Sequence, residues 1–215
     1  MPRPPRLQFP GALYHVSSRG NKGASIFPDE RDRDLFLHEL AETVRRYRWL
    51  CHSYCLMGNH YHLLVETTEP NLAAGAQRLN GAYAQELNRT YGQRGHVFQG
   101  RYHAVLVEKE SHLLEVARYI VLNPVRARLC GEARDWKWSS YRATAGLAAR
   151  PGFLAFDWIL SQFGGDPRAA ETRYRSFVAD GAGSNPWRHS RGTCLGSEAF
   201  LQEHRSPIQG SDPGV

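Results

Sequence analysis

His60 and His62 stand two apart in the segment Met57-Gly58-Asn59-His60-Tyr61-His62-Leu63-Leu64-Val65-Glu66. Side chains on a β-strand alternate between faces, so both imidazoles leave one face, about 6–7 Å apart along the strand. Two imidazoles so placed can share one divalent cation. Taken alone, such a pair also fits a solvated sheet face. Two histidines do not complete a metal site, and the candidate third ligand is Asn123. Tyr119 lies four residues before Asn123 on an expected helix, so both side chains share one helix face. Each has an ordinary reading too, Tyr119 as a half-buried aromatic and Asn123 as a helix C-terminal residue.

Positioning these groups requires an ordered set of elements. Leu13 to Val16 reads as a first strand, closed by a polar turn over Ser17 to Gly23. Pro28-Asp29-Glu30 has helix-start chemistry, and Phe36, Leu37, Leu40, Val44 and Tyr47 then recur on one helical face. Trp49 to Met57 and His60 to Thr67 read as strands joined by a tight Gly58-Asn59 turn. A second helix starts at Glu69-Pro70-Asn71 and stops near Tyr91-Gly92. Tyr102 to Val107 is a fourth strand, and Glu110-Ser111 caps a third helix that Pro124 ends. The order β-α-β-β-α-β plus a helix predicts an α+β fold of the ferredoxin-like split βαβ kind. That fold has an antiparallel sheet with helices packed on one face. Residues 138–180 read as helical, 181–193 as a linker, Ser197 to Glu203 as a short helix and the end as loose; residues 1–10 read as an extended arm.

Composition narrows the function classes. The 215 residues carry 27 Lys and Arg against 21 Asp and Glu, and 24 of the 27 cations are Arg. Guanidinium forks pair bidentately with phosphate, so the balance leans toward nucleic acid. No apolar stretch approaches a membrane span. The N-terminal Met1-Pro2-Arg3-Pro4-Pro5-Arg6 lacks the apolar core of a secretory signal. Cys51, Cys55, Cys130 and Cys194 lack zinc-ligand spacing and are too few for a disulfide scaffold, so a reducing, cytoplasmic setting is expected.

Four blocks in order carry a family resemblance: the His60-Tyr61-His62 strand, Gly95-His96-Val97-Phe98-Gln99-Gly100-Arg101-Tyr102, Tyr119-Ile120-Val121-Leu122-Asn123-Pro124-Val125, and Trp138-Ser139-Ser140-Tyr141. Over about residues 8–145 the chain resembles the single-tyrosine HUH transposases, most of all the REP-associated branch. The resemblance implies cleavage and rejoining of single-stranded DNA beside a short hairpin. It implies a divalent metal (Mg²⁺ or Mn²⁺) held by His60 and His62 and completed by Asn123, and Tyr119 as the nucleophile. The middle HUH residue is commonly bulky and apolar, so Tyr61 is a mild departure. Some relatives place another residue type at the Asn123 position. Among competing tyrosines, Tyr83 and Tyr91 fall on the second helix, Tyr83 on its apolar stripe, Tyr14 and Tyr102 on strands and Tyr141 beside Trp138; of those on expected helices only Tyr119 has a polar group at i+4.

Expected DNA contacts are Arg19 and Lys22 beside Gly20 and Gly23, Arg94 and Arg101 flanking Gly95 to Gly100, and Arg126 and Arg128 after the Tyr119 helix. Solvated surface charge is the competing reading for each. The expected domain layout is a catalytic unit over 1–145 and a C-terminal helical extension with a loose tail over 146–215. The expected partner is hairpin-bearing single-stranded DNA, with no membrane and a monomeric or homodimeric state. Two other functions fit parts of the pattern. A DNA-binding protein that no longer cuts would keep the fold without needing His60, His62, Tyr119 and Asn123. A metal-dependent hydrolase would need carboxylate ligands, and Glu66 lies about 13 Å along the strand.

Overall fold

The computed structural model describes residues 7–204 apart from 182 and 192. Expectations for residues 1–6 and for the chain end after 204 lie outside the described residues. Strands β1 (Ala12–Arg19), β2 (Trp49–Leu56), β3 (His60–Thr67) and β4 (His103–Val107) alternate with helices α1 (Glu30–Tyr47) and α2 (Leu72–Tyr91) in the predicted order. They pair antiparallel in the sequence β2-β3-β1-β4. β1 runs past the expected Val16, because Ser17, Ser18 and Arg19 pair with His62, Tyr61 and His60.

The period-two alternation divides the sheet between two cores. Tyr14, Val16, Tyr61, Leu63, Val65, Ala104 and Leu106 pack beneath α1 and α2. Leu13, Leu64, Val105 and Val107 face the other way, toward α3 (Lys109–Val121). α1 and α2 thus share one face, and the following helix takes the opposite one. A register shift between Cys51 and Ser53 sends Cys51 into the first core and Cys55 into the second. All four cysteines are free thiols.

The segment after α3 differs from expectation in three ways. Pro124 does not end the helical path. α3 stops at Val121, and a new turn, α4 (Asn123–Arg126), begins with Pro124 in its first turn, where a missing N–H breaks no helical bond. The expected helical stretch 138–180 is three pieces, α5 (Tyr141–Thr144), α6 (Asp157–Ser161) and α7 (Pro167–Ala179). Left-handed Gly146 and Gly164 fall in the gaps between them. The expected linker holds a 3-10 turn (Pro186–His189) and a strand, β5 (Ser190–Arg191), which pairs with β6 (Cys194–Leu195). β6 runs parallel to β4. The Leu106 N–H donates to the Thr193 carbonyl at 2.8 Å and the Glu108 N–H to the Leu195 carbonyl at 2.9 Å. An open sheet edge is thereby paired, by strands too short to show periodicity. The expected short helix is α8 (Glu198–Glu203), with Ser197 as its cap, accepting from the Phe200 N–H.

A buried ionic cluster locks the end of the sheet remote from His60. Glu66 on β3 accepts from His52 on β2 at 3.0 Å and from Lys109, at the start of α3, at 3.0 and 2.8 Å. The second His52 nitrogen meets the Ala155 carbonyl at 3.1 Å. The hydrogen bond from His52, then the Lys109 ammonium, hold the Glu66 carboxyl below the usual carboxylate range against the opposing effect of burial. Its contribution to stability is complete above the unfolded value of about 4.5 and fades as pH falls through the lower folded value. Glu66→Gln should cost about 1–2 kcal/mol, because it leaves the partly buried Lys109 ammonium without its counter-charge and weakens the acceptor of the buried His52. Urea unfolding at pH 7 checks this, and a loss below about 0.5 kcal/mol would show that the cluster is not a lock.

Candidate active site

Register, not proximity in sequence, assembles the site. On the sheet face toward α3, Arg19 stands opposite His60, and Ser17 stands opposite His62 on one side and His103 on the other. The loop before β4 is tied to the end of β1: the Asn21 N–H donates to the Val97 carbonyl and the Gln99 N–H to the Arg19 carbonyl, both at 2.8 Å. A Cβ on Gly20 would fall 2.1 Å from the Ala24 carbonyl oxygen. Gly20 is therefore required for a close backbone-to-backbone approach. The result is a cavity of about 240 Å³ lined by Ser17, Ser18, Arg19, His60, His62, Gln99, Arg101 and His103.

The two histidines are held as ligands need to be. Their rings lie 5.0 Å apart at 89°. The His60 Nδ1–H donates to Asn59 Oδ1 at 2.7 Å, and the Asn59 amide is itself oriented by donating to the Gly23 carbonyl at 3.1 Å. That leaves the lone pair of His60 on Nε2. His62 Nδ1 shares a hydrogen bond with His15 Nε2 at 2.9 Å. Burial, then the nearby Arg19 cation, lowers the His60 pKa. Burial, then His15 and His60, holds His62 well below the usual imidazole value. Burial with His103 nearby pushes His15 down to about 3. The imidazoles are therefore neutral near pH 7, with lone pairs available.

This donor set fits a divalent cation of the Mn²⁺ or Mg²⁺ kind, with imidazole nitrogens favouring Mn²⁺. Among the described residues no three His, Cys, Asp or Glu side chains gather as a ready cage. Glu66 is committed to His52 and Lys109, which leaves the carboxylate-dependent hydrolase without its ligand.

Tyr119 meets this cluster from α3. Its ring lies 6.4 Å from both His62 and His15, edge to face with each. Trp187 packs edge to face on it at 5.4 Å, and the Arg126 guanidinium lies 4.5 Å from its centroid. Asn123 folds back on the same turn, its Nδ2 donating to the Tyr119 and Ile120 carbonyls at 3.2 and 3.3 Å. Neither Tyr119 nor Asn123 lines the His60/His62 cavity.

The expected DNA-contact residues separate into three groups. Arg19 and Arg101 line the cavity, and Arg101 with Gln99 also borders a groove of about 830 Å³ along α2. Lys22, Arg94 and Arg128 line neither space. Arg126 turns inward instead of toward solvent. It donates to the carbonyls of Tyr119 at 2.8 Å, Ser184 at 2.7 Å and Gly181 at 3.4 Å.

Sequence reasoning alone does not single out His15, His103, Gln99, Asn59 and Trp187 as site residues. Alternation places Leu13, His15 and Ser17 on one face of β1, and this is the available signal for His15. Nothing local marks Trp187, which arrives from the expected linker.

No curated protein sequence matches the chain. Among solved structures, the chain is similar to a REP-associated tyrosine transposase bound to a REP hairpin, with TM-score 0.58, 15% identity, and coverage of 78% of this chain and 93% of that one. A protein of Deinococcus radiodurans R1 described as a transposase gives TM-score 0.40 at 18% identity, covering 55% of this chain and 95% of that one. The tRNA(His) guanylyltransferase of Saccharomyces cerevisiae gives 0.42 at 10% identity, covering 92% and 96%. The first of these shows a shared fold, and the other two carry no argument. The family described as "Transposase IS200 like" matches residues 9–123, more than half of the chain and a span that begins before β1 and ends on Asn123. By that match the chain belongs to the IS200-like transposase family and is a DNA transposase.

Proposed function

We propose that the chain is a metal-dependent single-strand DNA endonuclease and strand transferase that acts beside hairpins, with Tyr119 as nucleophile. The observation that carries this reading is the placement of Tyr119, its ring 6.4 Å from His62, above a face bearing two imidazoles with neutral, ligand-competent rings. In this reading His60 and His62 hold a divalent cation, and the Asn123 amide oxygen is the candidate further ligand. When bound, the cation neutralises charge on a non-bridging oxygen of the scissile phosphate.

The chain's own residues do the rest. The Tyr119 hydroxyl oxygen bonds to phosphorus and its proton passes to solvent. The bond from phosphorus to the 3′ oxygen breaks, and that oxygen takes a proton to leave as a free 3′-OH. The product is a 5′-phosphotyrosine, which conserves the phosphodiester energy. Attack by another 3′-OH reverses the step and joins strands without ATP. Arg126 fixes the Tyr119 ring by its face and its backbone by the carbonyl. Arg19 and Arg101 are the cations that would receive the strand's phosphates in the cavity. Lys22, Arg94 and Arg128 would take more distant ones. Residues 1–145 carry the chemistry in this account, and the extension braces it through Trp187 and the Ser184 carbonyl.

Substrate form tests the proposal. A phosphate must enter between a sheet-borne cation and a helix-borne tyrosine, with the strand bent sharply. Duplex DNA, with a persistence length of about 150 bp, resists such a bend. A free strand does not, and its unpaired bases can stack on aromatic rings at about 1–3 kcal/mol each. One labelled hairpin-bearing oligonucleotide should be cut alone with Mn²⁺ and remain intact when annealed to its full complement. Equal cleavage of both forms would overturn the single-strand claim.

A further inference from the structure

We infer that Trp187 is a positioning residue for Tyr119, holding the tyrosine ring at the angle from which its hydroxyl attacks. The inference rests on the proposal that Tyr119 is the nucleophile. Trp187 lies outside residues 9–123, the span matched to the family. Its ring packs on Tyr119 at 5.4 Å and 90°, and on His15 at 4.8 Å and 33°. His15 in turn meets Tyr119 edge to face at 6.4 Å. The indole therefore fills the angle between the tyrosine ring and the sheet face that carries the imidazoles. Among the described residues no hydrogen bond engages the Tyr119 hydroxyl, so ring packing sets where that oxygen points.

The segment that carries Trp187 is docked by arginines on either side of Tyr119 in the chain. Arg126 donates to the Ser184 carbonyl at 2.7 Å and the Gly181 carbonyl at 3.4 Å. Arg118 donates to the Phe177 carbonyl at 3.2 Å, its guanidinium 4.2 Å from that ring's centroid. Gly181 lets the Arg118 stem pass, since a Cβ there would fall 2.2 Å from its Cδ. Asn185 caps the 3-10 turn that presents the indole, its Oδ1 accepting from the Trp187 N–H at 3.0 Å. Beyond the turn, β6 is paired to β4. A segment tied down on both sides of one aromatic residue acts as a support. A tyrosine side chain on a helix has more than one open rotamer, and the indole excludes those that cross its own volume. Misplacing a reacting atom by about 1 Å costs about a hundredfold in rate. Trp187 does not line the His60/His62 cavity, so its contribution falls on the bond-forming step and not on the binding of strand or cation.

The test is the single-turnover rate of adduct formation with a saturating hairpin-bearing single strand and Mn²⁺, with the affinities for strand and for Mn²⁺ measured beside it. Trp187→Leu keeps apolar bulk and removes the flat ring, whereas Trp187→Phe keeps a ring that can meet Tyr119 edge to face. The Leu variant should form the adduct about tenfold or more slowly, with both affinities within about threefold of wild type. The Phe variant should recover the rate to within about threefold of wild type. A wild-type rate in the Leu variant, an equal loss in both variants, or a loss of Mn²⁺ affinity as large as the loss of rate would each overturn the role of Trp187. If Trp187→Leu does not fold, Asn185→Ala decides. It leaves the indole in place, loosens its turn and should slow the adduct by about three- to fivefold, and a wild-type rate there would overturn the role. Tyr119→Phe separates the two levels of the argument. An adduct that persists in Tyr119→Phe, or none in the wild type, removes the nucleophile assignment and the role of Trp187 with it. An adduct lost in Tyr119→Phe but formed at the wild-type rate in Trp187→Leu removes only the role of Trp187.

Discussion

Tyr119→Phe should abolish covalent attachment to DNA while leaving the fold and DNA binding intact. The change removes one hydroxyl from a ring held by packing on three sides, with Trp187, His15 and the Arg126 guanidinium against it. The competing tyrosines are not placed to replace it. Tyr83, Tyr61 and Tyr102 are buried in the core beneath α1 and α2, on the opposite face of the sheet. Tyr14 shares that core and donates its hydroxyl to the Leu7 carbonyl at 2.8 Å. Tyr141 is buried against Tyr174 at 5.9 Å. The variant's melting temperature should match the wild type within about two degrees, and its DNA affinity should be unchanged. A persistent adduct in gel analysis would move the nucleophile elsewhere.

The second large effect concerns the metal side. His60→Ala or His62→Ala should reduce cleavage by about a thousandfold or more, since a cation at a reacting phosphate contributes several kcal/mol. Mn²⁺ binding should weaken in parallel. DNA affinity should survive largely intact, because phosphate contacts carry it, and it should fall as salt rises. His60 is the cleaner probe, being half-buried, whereas His62 also supports His15. Full cleavage by either variant, or full cleavage by the wild type with EDTA present, would remove the cation from the account.

Much of the site is legible in the amino-acid sequence because its parts obey local periods. His60 and His62 share a face by the two-residue repeat of a strand, and Tyr119 and Asn123 share a turn by the four-residue repeat of a helix. The six-element order follows from hydrophobic periodicity in the same way. What escapes such reading depends on pairing between distant segments. His15 and His103 join the site only through the register that sets Ser17 between His62 and His103, and no local pattern fixes that register. Arg126 reads as a surface cation after a helix. Its guanidinium instead satisfies the carbonyls of Ser184 and Gly181, the latter 55 residues on. β5 and β6 are two residues each, shorter than one full alternation, so the segment holding Trp187 reads as linker.

The most direct measurement is the mass of the attachment site itself. Wild-type protein incubated with a hairpin-bearing single-stranded oligonucleotide and Mn²⁺ should be denatured, digested and mapped by mass spectrometry. The account predicts a nucleotide joined through its 5′ phosphate to the peptide containing Tyr119, with the released strand ending in a 3′-OH. A nucleotide on any other residue, or cleavage with no covalent peptide at all, would contradict it.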